Sequence, residues 1–158
     1  MLNPDYRDML SAFSECGVEF LVVGAYALAA HGLPRATGDI DLWIAPSDEN
    51  AKRVHEAIVR FGAPTFGWTS EDFRKPEMVY QIGVEPRRID IITSIRGVEF
   101  SQAWSRRIVL QIDGLEIPFL NSEDLIASKV AAGRPQDLAD VARLKKQRSK
   151  LSQDGTSD

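Results

Sequence analysis

The sequence predicts an α/β domain: a mixed β-sheet flanked by helices, with a pair of helices at the C-terminal end. Three observations point there. The apolar run Phe20–Val23 breaks at Gly24 and passes straight into a helix-like run. In Asp39–Ile44 polar and apolar residues alternate with the period of two that a strand imposes. From Asn121 onward the pattern turns helical, with Gly133 and Pro135 marking the joint between two helices.

The elements follow in order. Tyr6, Met9, Leu10 and Phe13 recur at helical spacing, and Gly17 ends that helix. Glu19 to Val23 reads as a buried strand, and Ala25 to His31 as a short helix closed by Gly32. Pro34 to Gly38 is a loop, and Asp39 to Ile44 is the next strand. Ser47 caps a helix whose buried stripe is Val54, Ile58 and Phe61. Gly62 to Pro76 is the least regular part, broken by Pro64, Gly67 and Pro76. Val79 to Val84 and Arg88 to Ser94 read as strands of a hairpin turning at Glu85-Pro86-Arg87, and Phe100 to Arg107 as a short helix. Val109 to Ile112 and Leu115 to Phe119 flank Asp113-Gly114, the strongest hairpin signal in the chain. Asn121 or Ser122 caps a helix to Ala132, and Pro135 opens a last helix through Lys146. Ser149 to Asp158 is polar and aperiodic and is expected to be disordered, leaving residues 1–148 as one domain.

Composition narrows the function. The 158 residues, 44% hydrophobic and 27% charged, are those of a globular domain large enough for an ordinary core. No apolar run approaches the roughly 18 residues that span a bilayer, and Asp5 and Asp8 stand where a signal sequence would be basic and then apolar. The single cysteine, Cys16, precludes an internal disulfide and suits a reducing, cytoplasmic setting. A net charge of −4 argues against indiscriminate binding to nucleic acid. The basic run Arg143, Lys145, Lys146, Arg148 and Lys150 reads as a solvated helix end, or as a patch that positions an acceptor. His31 and His55 lack partners at metal-ligand spacing, and the P-loop motif is absent.

The chemistry gathers around Gly24-Ala25 and Asp39-Ile40-Asp41. Alternation puts both carboxylates on one strand face, where each ionises less readily beside the other. A hard divalent cation, Mg²⁺ or Mn²⁺, relieves that repulsion. The turn at Gly24 opens a helix whose first N–H groups can face a phosphate. Arg35 and Thr37, on the loop into the acids, can bond phosphate oxygens, or serve as a loop salt bridge and a turn former. Asp137 and Asp140 share a helical face and can form a network with Arg134 or Lys129.

These motifs resemble the nucleotidyltransferase superfamily, with its strand, Gly-Gly or Gly-Ser turn, spacer and acid-x-acid strand, and within it the small AbiEii-type bacterial proteins. Arg35, Thr37, Asp39 and Asp41 match Arg-x-Thr-x-Asp-x-Asp. Asp90, in Arg88-Ile89-Asp90-Ile91-Ile92, matches the third family acid. Lys129, Ala132, Arg134, Pro135, Asp137 and Asp140 match Lys-x-x-Ala-x-Arg-Pro-x-Asp-x-x-Asp. Where the family turn carries Gly or Ser, this chain has Ala25, which offers only its backbone N–H.

The resemblance implies a nucleotidyltransferase-like fold and transfer of a nucleoside monophosphate from an NTP to an RNA or protein acceptor, in a toxin–antitoxin or phage-defence setting with an antitoxin partner. It implies Asp39, Asp41 and Asp90 as catalytic metal ligands, and Gly24, Ala25, Arg35, Thr37, Lys129, Arg134 and Asp137 as the nucleotide-facing set. Two other readings stay open: a catalytically silent binding module of the same fold, and a phosphodiesterase using the same acids with water.

Overall fold

The computed structural model describes residues 2–156. Along the chain run α1 (Pro4–Glu15), β1 (Phe20–Val23), α2 (Gly24–Ala30), β2 (Asp39–Ile44) and α3 (Asp48–Phe61). A 3₁₀ turn (Ser70–Arg74), β3 (Val79–Ile82), β4 (Arg88–Ile92) and α4 (Phe100–Ser105) follow. The hairpin β5 (Ile108–Ile112) and β6 (Leu115–Phe119) leads to α5 (Ser122–Ala132) and α6 (Pro135–Thr156). The strands form one mixed six-stranded sheet in the order β3-β4-β2-β1-β6-β5. β2 runs parallel to β4 and β1 to β6, and the other neighbours are antiparallel. The fold class read from the sequence is the one found.

Local chemistry sets the element ends. Asn3, Ser47 and Asn121 each accept a bond from the backbone N–H three residues on, at 2.9, 3.2 and 2.9 Å. Each such cap typically contributes about 1 kcal/mol. Gly62 and Gly133 close α3 and α5 in the left-handed conformation, which glycine enters without a Cβ penalty.

Alternation then assigns the sheet faces. Ile40, Leu42 and Ile44 share a face with Phe20, and Phe13 of α1 meets Phe20 edge-on at 5.1 Å. Asp39, Asp41 and Trp43 take the other face, where Trp43 meets Phe100 of α4 edge-on at 5.0 Å. The helices and the sheet thus leave the two acids at the start of β2, on the face opposite α1.

Three segments depart from the sequence-based expectation. β3 stops at Ile82 because Gly83 turns left-handed, at φ +77°. Within 62–76, the 3₁₀ turn buries Phe73 in an aromatic cluster with Trp68 and Tyr80, so Trp68 packs against neighbours. The last helix passes the expected end at Lys146 and takes in the segment from Ser149, expected to be disordered, as far as Thr156. That segment is polar but proline-free, and it directly continues the run Lys145-Lys146-Gln147-Arg148 of residues that favour a helix. Residues 157–158 of the expected tail lie outside the described residues. Among the described residues, no helix is long and apolar enough to cross a membrane.

One buried polar side chain ties the start of β1 to α3. Asn50, 2% exposed, accepts from the Glu19 N–H at 2.7 Å and donates to the carbonyls of Glu19 and Ala45, both at 3.0 Å. Asn50→Ala should lower stability by about 2 kcal/mol, the cost of leaving buried backbone groups unpaired. Urea unfolding should show a lower midpoint with an unchanged m-value. A midpoint equal to wild type would mean water replaces the amide without cost.

Candidate active site

The parallel pairing of β2 and β4 builds the site. Its register sets Asp39 opposite Arg88 and Asp41 opposite Asp90. One carboxylate oxygen from each of Asp39, Asp41 and Asp90 lies within 4.8 Å of the others. β1 lies on the other side of β2, with Val23 opposite Asp41. The chain therefore turns into α2 right beside that carboxylate. Gly24 makes the turn at φ +69°, and a Cβ there would stand 2.0 Å from Asp41 Oδ2. The glycine supplies both the left-handed backbone and the space in which Asp41 sits.

Electrostatics separate the three acids. Burial pushes Asp41 up to about 7, and the charges of Asp39 and Asp90 add to it. Burial also pushes on Asp39, but hydrogen bonds from Thr37, Asp90 and Arg88 outweigh it and hold this group below the usual carboxylate range. Thr37 Oγ1 donates to Asp39 Oδ1 at 2.8 Å. For Asp90, burial wins over the pull of Arg88 and raises the pKa. Arg88, unassigned by the sequence reading, donates from Nη2 to Asp39 Oδ2 at 2.7 Å and from Nε to Asp90 Oδ1 at 2.9 Å. The signal was there: a basic residue two before an acid in a strand shares its face.

The remaining sequence-assigned residues divide into two groups. Ala25, Arg35 and Thr37 line a hollow of about 160 Å³ together with Tyr26 and Ala29. Tyr26, also unassigned before, has its pKa raised by burial and then by the charge of Asp39. Lys129, Arg134, Asp137 and Asp140 form an ion network at the α5–α6 joint. Lys129 Nζ reaches Asp140 at 2.9 Å and Asp137 at 3.7 Å, and Arg134 Nε reaches Asp137 at 2.7 Å. Arg35 joins that network through both Asp140 oxygens, at 2.6 and 3.3 Å. Hydrogen bonds from Arg134 hold Asp137 low; Asp140, raised by burial, is drawn below the usual range by Arg35 and Lys129.

A larger hollow, about 700 Å³, opens at the far end of β2, between Trp43, Phe100, Trp104, Glu19 and Glu99. Size alone would favour it. It contains none of the acids, however, and Asp39, Asp41 and Asp90 are the one close group of metal-ligating side chains among the described residues. Hard carboxylate oxygens from three residues fit Mg²⁺ or Mn²⁺, and the cation already drawn between Asp39 and Asp90 is the Arg88 guanidinium. Their chemistry makes the three acids the candidate site.

The role of Gly24 is separable from ordinary glycine strain. Gly62→Ala, at φ +90° with nothing within 4 Å of its Cβ, should cost only the left-handed backbone, about 1–2 kcal/mol. Gly24→Ala must also displace the Asp41 carboxylate, so it should cost more and weaken Mn²⁺ binding, which Gly62→Ala should leave alone. Urea unfolding and Mn²⁺ titration of both variants decide it; equal losses would contradict a special role for Gly24.

Two solved structures share this architecture. One is a candidate nucleotidyltransferase from Thermotoga maritima, 16% identical, matched over 97% of this chain and 96% of that one with a TM-score of 0.56. The other is an antigenic nucleotidyltransferase-like protein from Paracoccidioides brasiliensis, 14% identical over 95% and 87% of the two chains, with a TM-score of 0.52. At these identities the likeness concerns the fold. Comparison with curated proteins finds no match. The sequence itself matches the family described as nucleotidyl transferase of unknown function (DUF2204) over residues 3–155. With a strand–glycine turn, an acid-x-acid strand and a third acid brought together on this fold, the chain belongs to that nucleotidyltransferase family.

Proposed function

We propose that the protein transfers a nucleoside monophosphate from an NTP to an RNA or protein hydroxyl, using Mg²⁺ or Mn²⁺ held by Asp39, Asp41 and Asp90. The observation that carries this is the convergence of the three carboxylates, within 4.8 Å, beside the Gly24 turn. A divalent ion there supplies charge stabilisation at the phosphoryl group and a more acidic attacking hydroxyl. The chain's own groups do the rest. Asp41 gives up the proton it holds near neutral pH as a cation binds. Asp90 accepts the proton of the acceptor hydroxyl. Arg35 and Thr37, lining the hollow beside α2, bond phosphate oxygens, while Gly24 and Ala25 offer backbone N–H groups. Lys129, Arg134 and Asp137 act on the nucleotide through the network that aims Arg35. The hollow is smaller than the roughly 300–1,000 Å³ of enclosing ligand sites, so the nucleoside lies across an open face. The AbiEii-type resemblance supports the choice of acceptors and an antitoxin partner.

A second reading has its own support: Arg88 already neutralises part of the acid cluster, and Ala25 lacks a phosphate-binding hydroxyl. A silent binding module would then keep the fold without the reaction. Incubating the protein with α-labelled NTPs, Mn²⁺ and total RNA or lysate separates the two. Label should pass to an acceptor, and Asp39→Asn or Asp41→Asn should reduce it by at least ~10²-fold with folding intact. Wild type that transfers no label to any acceptor would favour the silent module.

The raised pKa of Asp41 gives a second prediction. A carboxyl whose folded pKa exceeds its unfolded value, about 4, stabilises the fold below that value and loses this contribution as pH rises towards 7. In EDTA, wild type should therefore lose stability relative to Asp41→Asn between about pH 4 and pH 7. Asp39, held low beside Arg88, has the opposite sign, and its contribution is lost as pH falls below the usual carboxylate range, outside this window. A constant difference across that range would mean that Asp41 titrates normally.

A further inference from the structure

Arg88 stands where the sequence reading had placed no functional residue, and it bonds two of the three acids. It faces Asp39 across the parallel pair and precedes Asp90 by two on the same strand face. Its Nε and Nη2 bind three oxygens of these two carboxylates, at 2.9, 2.7 and 3.3 Å. Those oxygens belong to the acids that a divalent cation must also use. Asp41, the third acid, has no bond from Arg88. A second carboxylate waits at the rim: Glu85 Oε1, 3.5 Å from Nη1, on the turn between β3 and β4. Its side chain lies against Gly38, where a Cβ would come within 2.9 Å of it, and is 64% exposed.

We infer that Arg88 is the resident counter-ion of the acid site, and that a divalent cation enters by displacing its guanidinium from Asp39 and Asp90 towards Glu85. This rests on the reading of the three acids as a metal site. The physical case is one of exchange. Three carboxylates held within 4.8 Å repel one another, and a guanidinium holds two of them in place by charge-assisted bonds. A divalent ion offers more charge to the same oxygens, but it must first break those bonds and cannot share the space with a second cation. Arg88 therefore supports the fold of the metal-free protein and lowers its affinity for the ion. A residue that merely oriented the acids would raise that affinity. The sign of the effect separates the two roles.

The test uses Mn²⁺ alone, without nucleotide, titrated into the full chain and followed by electron paramagnetic resonance, with melting in EDTA alongside. Arg88→Gln should bind Mn²⁺ about tenfold tighter or more, the scale of one charge-assisted bond removed from the competition, and should melt lower in EDTA. Arg88→Lys, which keeps a charge to protect folding but loses the paired donors, should bind Mn²⁺ between the two. Glu85→Gln, which removes the landing carboxylate and leaves the acids untouched, should weaken Mn²⁺ binding relative to wild type. Equal or weaker Mn²⁺ binding by both Arg88 variants overturns the inference. No Mn²⁺ binding by any form at millimolar concentration overturns it together with the metal-site reading. Tighter binding by the Arg88 variants in a protein that transfers no nucleotide upholds the exchange and rejects the transfer reaction alone.

Discussion

The pairing of β2 with β4 in parallel register brings Asp41 and Asp90 side by side with Asp39 one pleat away, and much of the structure answers to that crowding. At an effective dielectric near 20, two unit charges at this spacing repel by on the order of 3 kcal/mol, a large share of a domain's net stability. The protein offsets this in three ways. Asp41 keeps its proton into the neutral range, Arg88 lies between Asp39 and Asp90, and Thr37 donates to Asp39. Gly24 is the backbone counterpart, since only a residue without a Cβ leaves room for the middle carboxylate. Each feature is local and small. Their common cause is a sheet register that permits no retreat, because slipping by one residue would turn the acids into the core and the isoleucines outward.

The C-terminal helices are joined to this site through charge. Asp140 is 2% exposed and would be costly to bury alone, yet Arg35 and Lys129 both bond it. Arg35 belongs to the loop that leads into β2, and Lys129 to α5, so a single carboxylate clamps the loop to the α5–α6 joint. The same arginine lines the hollow beside α2. The network thus fixes the direction from which a guanidinium faces that hollow, an anchoring role that a list of basic residues would not convey. His31, at the end of α2, serves a similar purpose: its Nε2 lies 2.8 Å from the carbonyl of Leu120, holding the helix to the chain beyond β6.

The two solved relatives share the architecture at 16% and 14% identity. Such likeness survives because a mixed sheet with helices needs only matched patterns of buried residues, and many sequences supply them. Function is more demanding, since it needs particular atoms at particular separations. The family match over residues 3–155 therefore carries the class of chemistry, while the contacts of Arg88 and the Asp140 clamp are read from this chain's own structure.

Sequence alone determined the elements whose signals are short-range. The Asn-Xaa and Ser-Xaa caps, the left-handed glycines after α3 and α5, the Asp113-Gly114 hairpin and the alternation in Asp39–Ile44 depend on backbone geometry within a few residues. The carboxylate pair Asp39 and Asp41 was legible for the same reason, and Asp90 through the motif. The end of α6 was not, because polar composition does not distinguish a solvated helix from a disordered tail. Tertiary structure alone decided which residues meet. Arg88 faces Asp39 from 49 positions away, and Arg35 finds Asp140 from 105 positions away. Lys129 and Arg134 bond Asp140 and Asp137 of the next helix, the network that the sequence offered beside a nucleotide-facing role. Charge attraction acts through space without regard to sequence separation, so the partner of an ion pair is settled only when the strands have chosen their register and the helices have docked.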